Sequence, residues 1–145
     1  MTELISLSIT ELTTRAENEN KQILIDGDTE QQIICDLEWT SEAIGNIVKN
    51  ALDHMTTGGE VHISWEQTPT TLCIIIADNG SGIAPEDIHH VFKRFYRSKY
   101  SLDTPGIGLG LPLAKSIIEG QGGVLSVRST LGEGTAFTIS FLTES

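Results

Sequence analysis

The 145-residue sequence is poor in positive charge. Nine lysines and arginines stand against 20 aspartates and glutamates, so the formal net charge is −11 at pH 7. Since a polyanion is repelled by such a chain, we expect neither nucleic acid nor an anionic membrane surface to be a direct partner. An anionic ligand would need local cations, and four of the nine fall within one short stretch: Lys93, Arg94, Arg97 and Lys99.

Membrane and disulfide signals are also missing. No apolar run approaches the roughly 20 residues that span a bilayer, and the first residues carry no basic segment of the kind that opens a signal peptide. The two cysteines, Cys35 and Cys73, lie in apolar stretches without metal-ligand spacing. We therefore expect a cytoplasmic location and reduced, buried thiols.

The spacing of apolar residues predicts an α/β fold. Ser8 and Glu11 match a capping box, which predicts a helix from there to about Asn20. The hairpins and the alternating strands predict a two-layer α/β sandwich, with a mixed, mainly antiparallel sheet and helices on one face. Strands are predicted at 22–26, 32–35, 61–65, 72–77, 124–129 and 135–142, and helices at 37–54, 84–92 and 109–120.

Two glycine-rich loops flank the basic stretch. Asp78-Asn79-Gly80-Ser81-Gly82 follows an apolar strand, and Gly106-Ile107-Gly108-Leu109-Gly110 opens a helix. Glycine lets backbone amides approach a ligand, and a helix N-terminus suits phosphate. Neither loop is a P-loop, because no Gly-Lys-Ser/Thr follows, and no βαβ unit supports a dinucleotide fingerprint. The two loops predict a nucleotide held by its base at one end and its phosphates at the other.

A polar stripe runs along the helix predicted at 37–54. Glu42, Asn46, Asn50 and His54 are spaced by four and share one side. Asparagine is a mediocre helix former, so two in one helix interior are either oxygen ligands for hydrated Mg²⁺ or simply exposed polar residues. Asp78 likewise either accepts a hydrogen bond from a purine amine or only shapes a turn.

Five segments in order resemble the N, G1, F, G2 and G3 boxes of sensor histidine kinases. This family belongs to a wider group of ATPases that includes type II topoisomerases and mismatch-repair proteins. The resemblance runs from about Asp36 to Leu142 and implies a Bergerat-type ATP-binding fold with ATP and Mg²⁺ as cofactors. Residues 1–35 would be an N-terminal helix and strands of the same single domain, and residues 36–145 its ATP-binding core. The segments are Asn46–Ala51, Asp78–Ile83, Phe92–Arg97, Gly106–Leu111 and Gly132–Phe137.

The resemblance also implies a role for individual residues. Asn50 would coordinate Mg²⁺, and Asn46 would support the phosphate end. Asp78 would receive the adenine amino group, with Gly82 letting the base lie close to the backbone and Thr135 assisting Asp78 through water. Phosphate-facing amides would come from Gly106, Gly108 and Gly110. Further ATP contacts are expected from Gly80, Ile83, Tyr96, Leu109 and Leu111. Phe92 and Phe95 would anchor a lid over residues 96–105, and the catalytic cations would be Lys49, Arg97 and Lys99.

Three residues depart from the family pattern, and one of them, Gln121 in place of a frequent histidine, has no evident consequence for ATP. Asp53 stands where the family often has a basic residue that helps to bind phosphate. Either Lys49, Arg97 or Lys99 compensates for the missing positive charge, or the affinity for the nucleotide is lower. Pro105 stands before Gly106 where glycine is frequent, which should stiffen one hinge of the lid.

The chemistry at Asn46 favours a kinase over a hydrolase. Hydrolysing relatives carry a glutamate base there, whereas an amide cannot take a proton, and a neutral histidine acceptor already offers a lone pair. The expected function is transfer of the γ-phosphoryl group of ATP to a histidine on a separate phosphoacceptor hairpin, with a response regulator as an indirect partner. The alternatives are an anti-sigma-factor-type serine kinase and a non-catalytic ATP-binding module.

The phosphoacceptor segment itself is not found in the sequence. The first histidine is His54, inside the predicted nucleotide helix, and no His-Glu segment precedes it. We therefore expect the catalytic part of a longer sensor kinase, namely the cytoplasmic part of a membrane-anchored protein, which does not phosphorylate itself.

Overall fold

A computed structural model describes residues 1–28, 35–83, 85–93 and 110–142. Within these residues, five strands form one sheet in the order β1-β2-β3-β5-β4. β1 pairs in parallel with β2, and the other three pairings are antiparallel, which confirms the predicted mixed sheet. The strands are β1 (Gln22–Asp26), β2 (Glu60–Gln67), β3 (Thr71–Asp78), β4 (Val124–Thr130) and β5 (Gly134–Leu142).

In the described part of the chain, three α-helices pack with this sheet: α1 (Thr2–Asn18), α2 (Leu37–Asp53) and α3 (Gly110–Gly120). α2 begins as predicted, because the Asp36 side chain accepts a hydrogen bond from the Trp39 backbone N–H at 3.0 Å. The short helix predicted near Phe92 is only a 3₁₀ turn, Ile88–His90. Of the strand predicted at 32–35, residues 32–34 lie outside the described residues and Cys35 forms a bend.

The start of α1 was predicted wrongly. The helix begins at Thr2, and Ser8 lies in its interior, where the hydroxyl donates to the Leu4 carbonyl at 2.6 Å. The capping-box pattern was misleading because Leu4, Ile5 and Ile9 form a buried apolar face that continues the helix toward its N-terminus.

The core lies between the helices and one face of the sheet. Alternate residues of the central strands are buried there, for example Ile63 in β2, Ile74 in β3 and Ile139 in β5. They share one hydrophobic cluster with residues of all three helices, such as Ile5, Ile47 and Ile118. The two-layer arrangement with helices on one face follows from this single buried face.

The prediction of buried thiols was wrong, since Cys35 and Cys73 are both half-buried. Cys73 alternates with buried Leu72 and Ile74 along β3, so its side chain belongs to the face of the sheet away from the core. In the described part of the chain, no helix combines the length and the apolar character needed to cross a bilayer.

Candidate functional site

Asp78 is the last residue of β3, the central strand of the sheet, and pairs with Thr135 near the start of β5. Its carboxylate accepts the backbone N–H of Gly80 at 2.8 Å and is also hydrogen-bonded by the backbone N–H of Thr135. Burial raises the pKa of Asp78, and these two hydrogen bonds oppose the shift. The geometry therefore fixes a half-buried acceptor at the start of the first glycine loop.

The loop after Asp78 packs against the turn between β4 and β5. The Gly132 N–H donates to the Ser81 carbonyl at 2.7 Å. Gly82 has a φ of 74°, and a Cβ there would overlap the Thr130 carbonyl. Gly134 has a φ of 129°, and a Cβ there would overlap the carbonyl of Asp78. Only glycine fits at these two positions, because the backbones of the first glycine loop and of the turn pack closely against each other.

The other end of the site lies between α2 and α3. Asn46 is half-buried, and its Nδ2 is fully buried without a hydrogen-bond partner among residues 1–28, 35–83, 85–93 and 110–142. A Cβ added at Gly110, the first residue of α3, would lie 3.8 Å from Asn46 Oδ1. A helix begins with unsatisfied N–H donors, and an orphaned buried donor costs about 1–3 kcal/mol. A phosphate group is an acceptor of the kind that both an amide NH₂ and a helix N-terminus can bind.

The polar stripe of α2 is therefore not uniformly exposed. Glu42 is exposed, whereas Asn46, Asn50 and His54 are half-buried. The interpretation as exposed polar residues is thus wrong for both asparagines. Lys49, expected as a catalytic cation, is exposed.

Residues 35–145 match the family model "Histidine kinase-, DNA gyrase B-, and HSP90-like ATPase". The chain belongs to this ATPase family. Sensor histidine kinase YvrG of Bacillus subtilis (strain 168) is 36% identical over 107 residues, which are 73% of this chain and 18% of YvrG. The mycobacterial sensor histidine kinase MprB superposes with a TM-score of 0.88 at 32% identity, over 98% of this chain and 95% of that one.

A third similarity concerns the fold alone. The histidine kinase ThkA, solved in complex with the response regulator protein TrrA, gives a TM-score of 0.80 at 20% identity, over 99% of this chain and 40% of that one. The family match and the similarities to YvrG and MprB show that the chain is the ATP-binding catalytic domain of a sensor histidine kinase. It spans only about a fifth of the length of the curated relative YvrG.

Ser129 hydrogen-bonds to residues beside the first glycine loop and was not predicted from the sequence. Its hydroxyl donates to the Gly134 carbonyl at 2.8 Å and accepts the Ile83 N–H at 2.7 Å. It also lies 2.9 Å from the Thr135 hydroxyl, which was expected to reach Asp78 through water. Ser129 thus ties β4, β5 and the first glycine loop together. In β4, Ser129 lies between exposed Arg128 and Thr130 and therefore on the opposite face of the strand. A polar residue on that face was the sequence signal that could have identified Ser129.

Phe92, expected to anchor the lid of the kinase domain, is half-buried beside α3. Its ring lies edge-to-face with Phe137, with centroids 6.2 Å apart, and Lys115 Nζ lies 5.1 Å from the Phe92 centroid. Ile83 and Leu111 are half-buried, and their contacts with ATP stay predictions. The predicted lid, residues 96–105, lies outside the described residues. So do the remaining predicted site residues, which are Phe95, Tyr96, Arg97, Lys99, Gly106, Gly108 and Leu109.

Metal ligands of the usual acidic, thiol or imidazole kind do not cluster in the described part of the domain. No group of three or more His, Cys, Asp or Glu side chains there could hold an ion. A divalent cation would therefore depend on amide oxygens of the polar stripe, together with oxygens of the nucleotide itself.

Proposed function

We propose that this domain holds Mg·ATP with its adenine at Asp78 and its phosphates between Asn46 and the start of α3, for transfer of the γ-phosphoryl group to a histidine. The observation that carries the proposal is the orphaned Nδ2 of Asn46 beside the first residue of α3. A phosphate oxygen would accept from Nδ2 and from the first backbone amides of the helix, including that of Gly110. Asp78, ionised, would accept from the adenine amino group, while its hydrogen bond from Gly80 keeps the carboxylate in place.

Asn50 is the residue we assign to Mg²⁺. It lies one helical turn after Asn46 on the same side of α2 and offers an amide oxygen, a ligand type that Mg²⁺ accepts. The bound ion would neutralise charge on the phosphate oxygens. Lys49, Arg97 and Lys99 are the candidates for further positive charge at the γ-phosphate.

Phosphoryl transfer would need little acid–base assistance from this domain. A neutral imidazole nitrogen bonds to the γ-phosphorus, the bond to the β,γ-bridging oxygen breaks, and ADP leaves with that electron pair. Asn46 cannot take a proton from water, so the arrangement favours transfer over hydrolysis. What the domain contributes is the position of the nucleotide.

The proposed phosphoacceptor is a histidine in a helical hairpin of the full-length kinase, and the indirect partner is a response regulator. The ThkA–TrrA complex provides a precedent in a protein with the same fold. We place the domain in the cytoplasm, as part of a membrane-anchored sensor, because the nucleotide and the response regulator are found there.

The test is transfer between separate proteins. The purified domain is incubated with γ-labelled ATP, Mg²⁺ and the histidine-bearing hairpin of a related sensor kinase. We expect acid-labile label on the hairpin, no label when its histidine is replaced by glutamine, and none on the domain itself. Acid-stable label on a serine-bearing antagonist protein would instead support the serine-kinase alternative. Nucleotide binding without transfer to either protein would support a non-catalytic module.

A further inference from the structure

The C-terminal end of α2 carries a charge that does not suit it. A helix C-terminus bears partial negative charge and favours cations, yet the last turn of α2 contains Asp53 and no basic residue. The Asp53 carboxylate is also largely buried, with 11% of its side chain exposed. An unpaired carboxylate in this position would be costly.

The missing cations come from the N-terminal segment, ahead of the region that matches the ATPase family. Arg15 Nη2, from α1, lies 2.6 Å from Asp53 Oδ1. Lys21 Nζ, just before β1, donates to the Leu52 carbonyl of α2 at 2.7 Å. Glu19 links the two cations, at 2.7 Å from Arg15 Nε and 2.6 Å from Lys21 Nζ. The hydrogen bonds and ion pairs of Arg15 outweigh the effect of burial and raise its pKa.

This end of α2 adjoins the candidate nucleotide site. The carbonyl of His54, which follows Asp53 directly, accepts the Ser81 N–H at 3.1 Å. A Cβ at Gly80 would lie only 2.6 Å from that same carbonyl. Asp53 is also three residues after Asn50, so their Cβ atoms lie about 5–6 Å apart on the helix surface. The contacts of His54 thus join the end of α2 to the first glycine loop, and the helical spacing places Asp53 beside Asn50, the residue assigned to Mg²⁺.

We propose that Arg15 is a positioning residue for nucleotide binding, because its ion pair with Asp53 neutralises a carboxylate that would otherwise repel the phosphates. The inference rests on the proposed function, and it assigns part of the site's charge balance to α1. It also explains how an aspartate is tolerated at position 53 in a chain with a net charge of −11. The N-terminal segment is then required for nucleotide affinity as well as for packing.

The test compares the wild type with Arg15→Gln, Asp53→Asn and the double variant by calorimetry with Mg·ATP and with adenosine. Arg15→Gln should weaken Mg·ATP binding about 3- to 10-fold, as expected for one uncompensated charge near the phosphates. Adenosine binding should change less than about twofold, since adenosine carries no phosphate charge. The double variant should regain affinity for Mg·ATP close to that of the wild type, and Asp53→Asn alone should bind at least as tightly as the wild type.

A purely structural role for Arg15 gives different results. The ion pair is still absent in the double variant, so a loss that persists there would overturn the inference, as would an equal loss for adenosine or no loss in Arg15→Gln. If Arg15→Gln does not fold, weaker Mg·ATP binding by Asp53→Asn would overturn it. Arg128→Gln, which removes one exposed cation from β4, is the matched control for net charge. A wild-type domain that takes up no adenine nucleotide at all would refute the proposed function itself.

Discussion

Gly110, the first residue of α3, lies against Asn46 of α2, so that an added Cβ would be 3.8 Å from the amide oxygen of Asn46. This contact joins two motifs that are far apart in the sequence. It places the start of α3 next to a half-buried amide side chain whose Nδ2 is without a partner in the described residues. The proposed phosphate site lies at this junction of α2 and α3.

Replacing Asn46 with aspartate should separate nucleotide binding from stability. The side chain keeps its size, but a carboxylate would face the phosphates, so we expect Mg·ATP affinity to fall at least about tenfold. The apo domain should keep its stability or gain up to about 1 kcal/mol, because the orphaned donor disappears and the new charge lies near a helix N-terminus. Calorimetry and urea unfolding measure the two effects. Glu42→Gln, exposed on the same stripe, should change neither, and unaltered nucleotide affinity in Asn46→Asp would contradict the assignment.

Replacing Gly82 with alanine should destabilise the domain by about 3 kcal/mol. The substitution combines an unfavourable positive φ with overlap between the new Cβ and the Thr130 carbonyl. Gly132→Ala is the matched control, since Gly132 has a similar φ of 85° but an added Cβ meets nothing within 4 Å. In the control, the free energy of unfolding measured with urea should fall by only about 1 kcal/mol. Equal losses in the two variants would show that the contact with Thr130 is unimportant.

The raised pKa of Asp78 predicts that ionisation of this side chain lowers the unfolding free energy of the apo domain as the pH rises. Because the folded-state pKa of Asp78 lies above its ordinary value, the native state binds the proton more tightly than the unfolded chain does. Asp78 therefore favours the folded state below that value, and this contribution is lost as the pH rises through the raised pKa. The unfolding free energy of Asp78→Asn should accordingly improve relative to the wild type between about pH 4 and pH 7.

Urea unfolding of both proteins across this range checks the sign of the pH effect at Asp78. Asp26→Asn, at the exposed end of β1, controls for the removal of one acidic residue. A relative stability of Asp78→Asn that declines as the pH rises would contradict the direction of the shift. Whatever its stability, Asp78→Asn should bind adenine nucleotides more weakly than Asp53→Asn, because only Asp78 is assigned to the base.

Ser129→Ala should destabilise the domain and also weaken nucleotide binding. The substitution leaves the Ile83 N–H and the Gly134 carbonyl without their partner, at a cost of about 1–3 kcal/mol. Since Ile83 follows the first glycine loop directly, the loop should also be held less firmly. Ser126→Ala, at an exposed position of the same strand, is the control. Both the free energy of unfolding and the affinity for Mg·ATP should be lower in Ser129→Ala and unchanged in Ser126→Ala. If neither quantity changes in Ser129→Ala, Ser129 is not part of the site.

Local patterns predicted the elements that surround the site. The alternation of Val61, Ile63 and Trp65 placed β2, and Asp36 marked the start of α2, because strand alternation and helix capping depend on near neighbours in sequence. The same local reasoning failed at Ser8, where a capping pattern lies inside a helix. There the buried residues Leu4 and Ile5 extend α1 by packing into the core, and this packing outweighs the local signal.

Periodicity and residue chemistry were sufficient to predict the α/β class, most of the helices and strands, and the candidate residues Asn46, Asn50 and Asp78. The contacts between polar groups of different elements depend on the tertiary structure. The ion pair of Arg15 with Asp53 and the hydrogen bonds of Ser129 join distant elements. Their partners are set by how the helices pack on the sheet, and no local pattern encodes that packing.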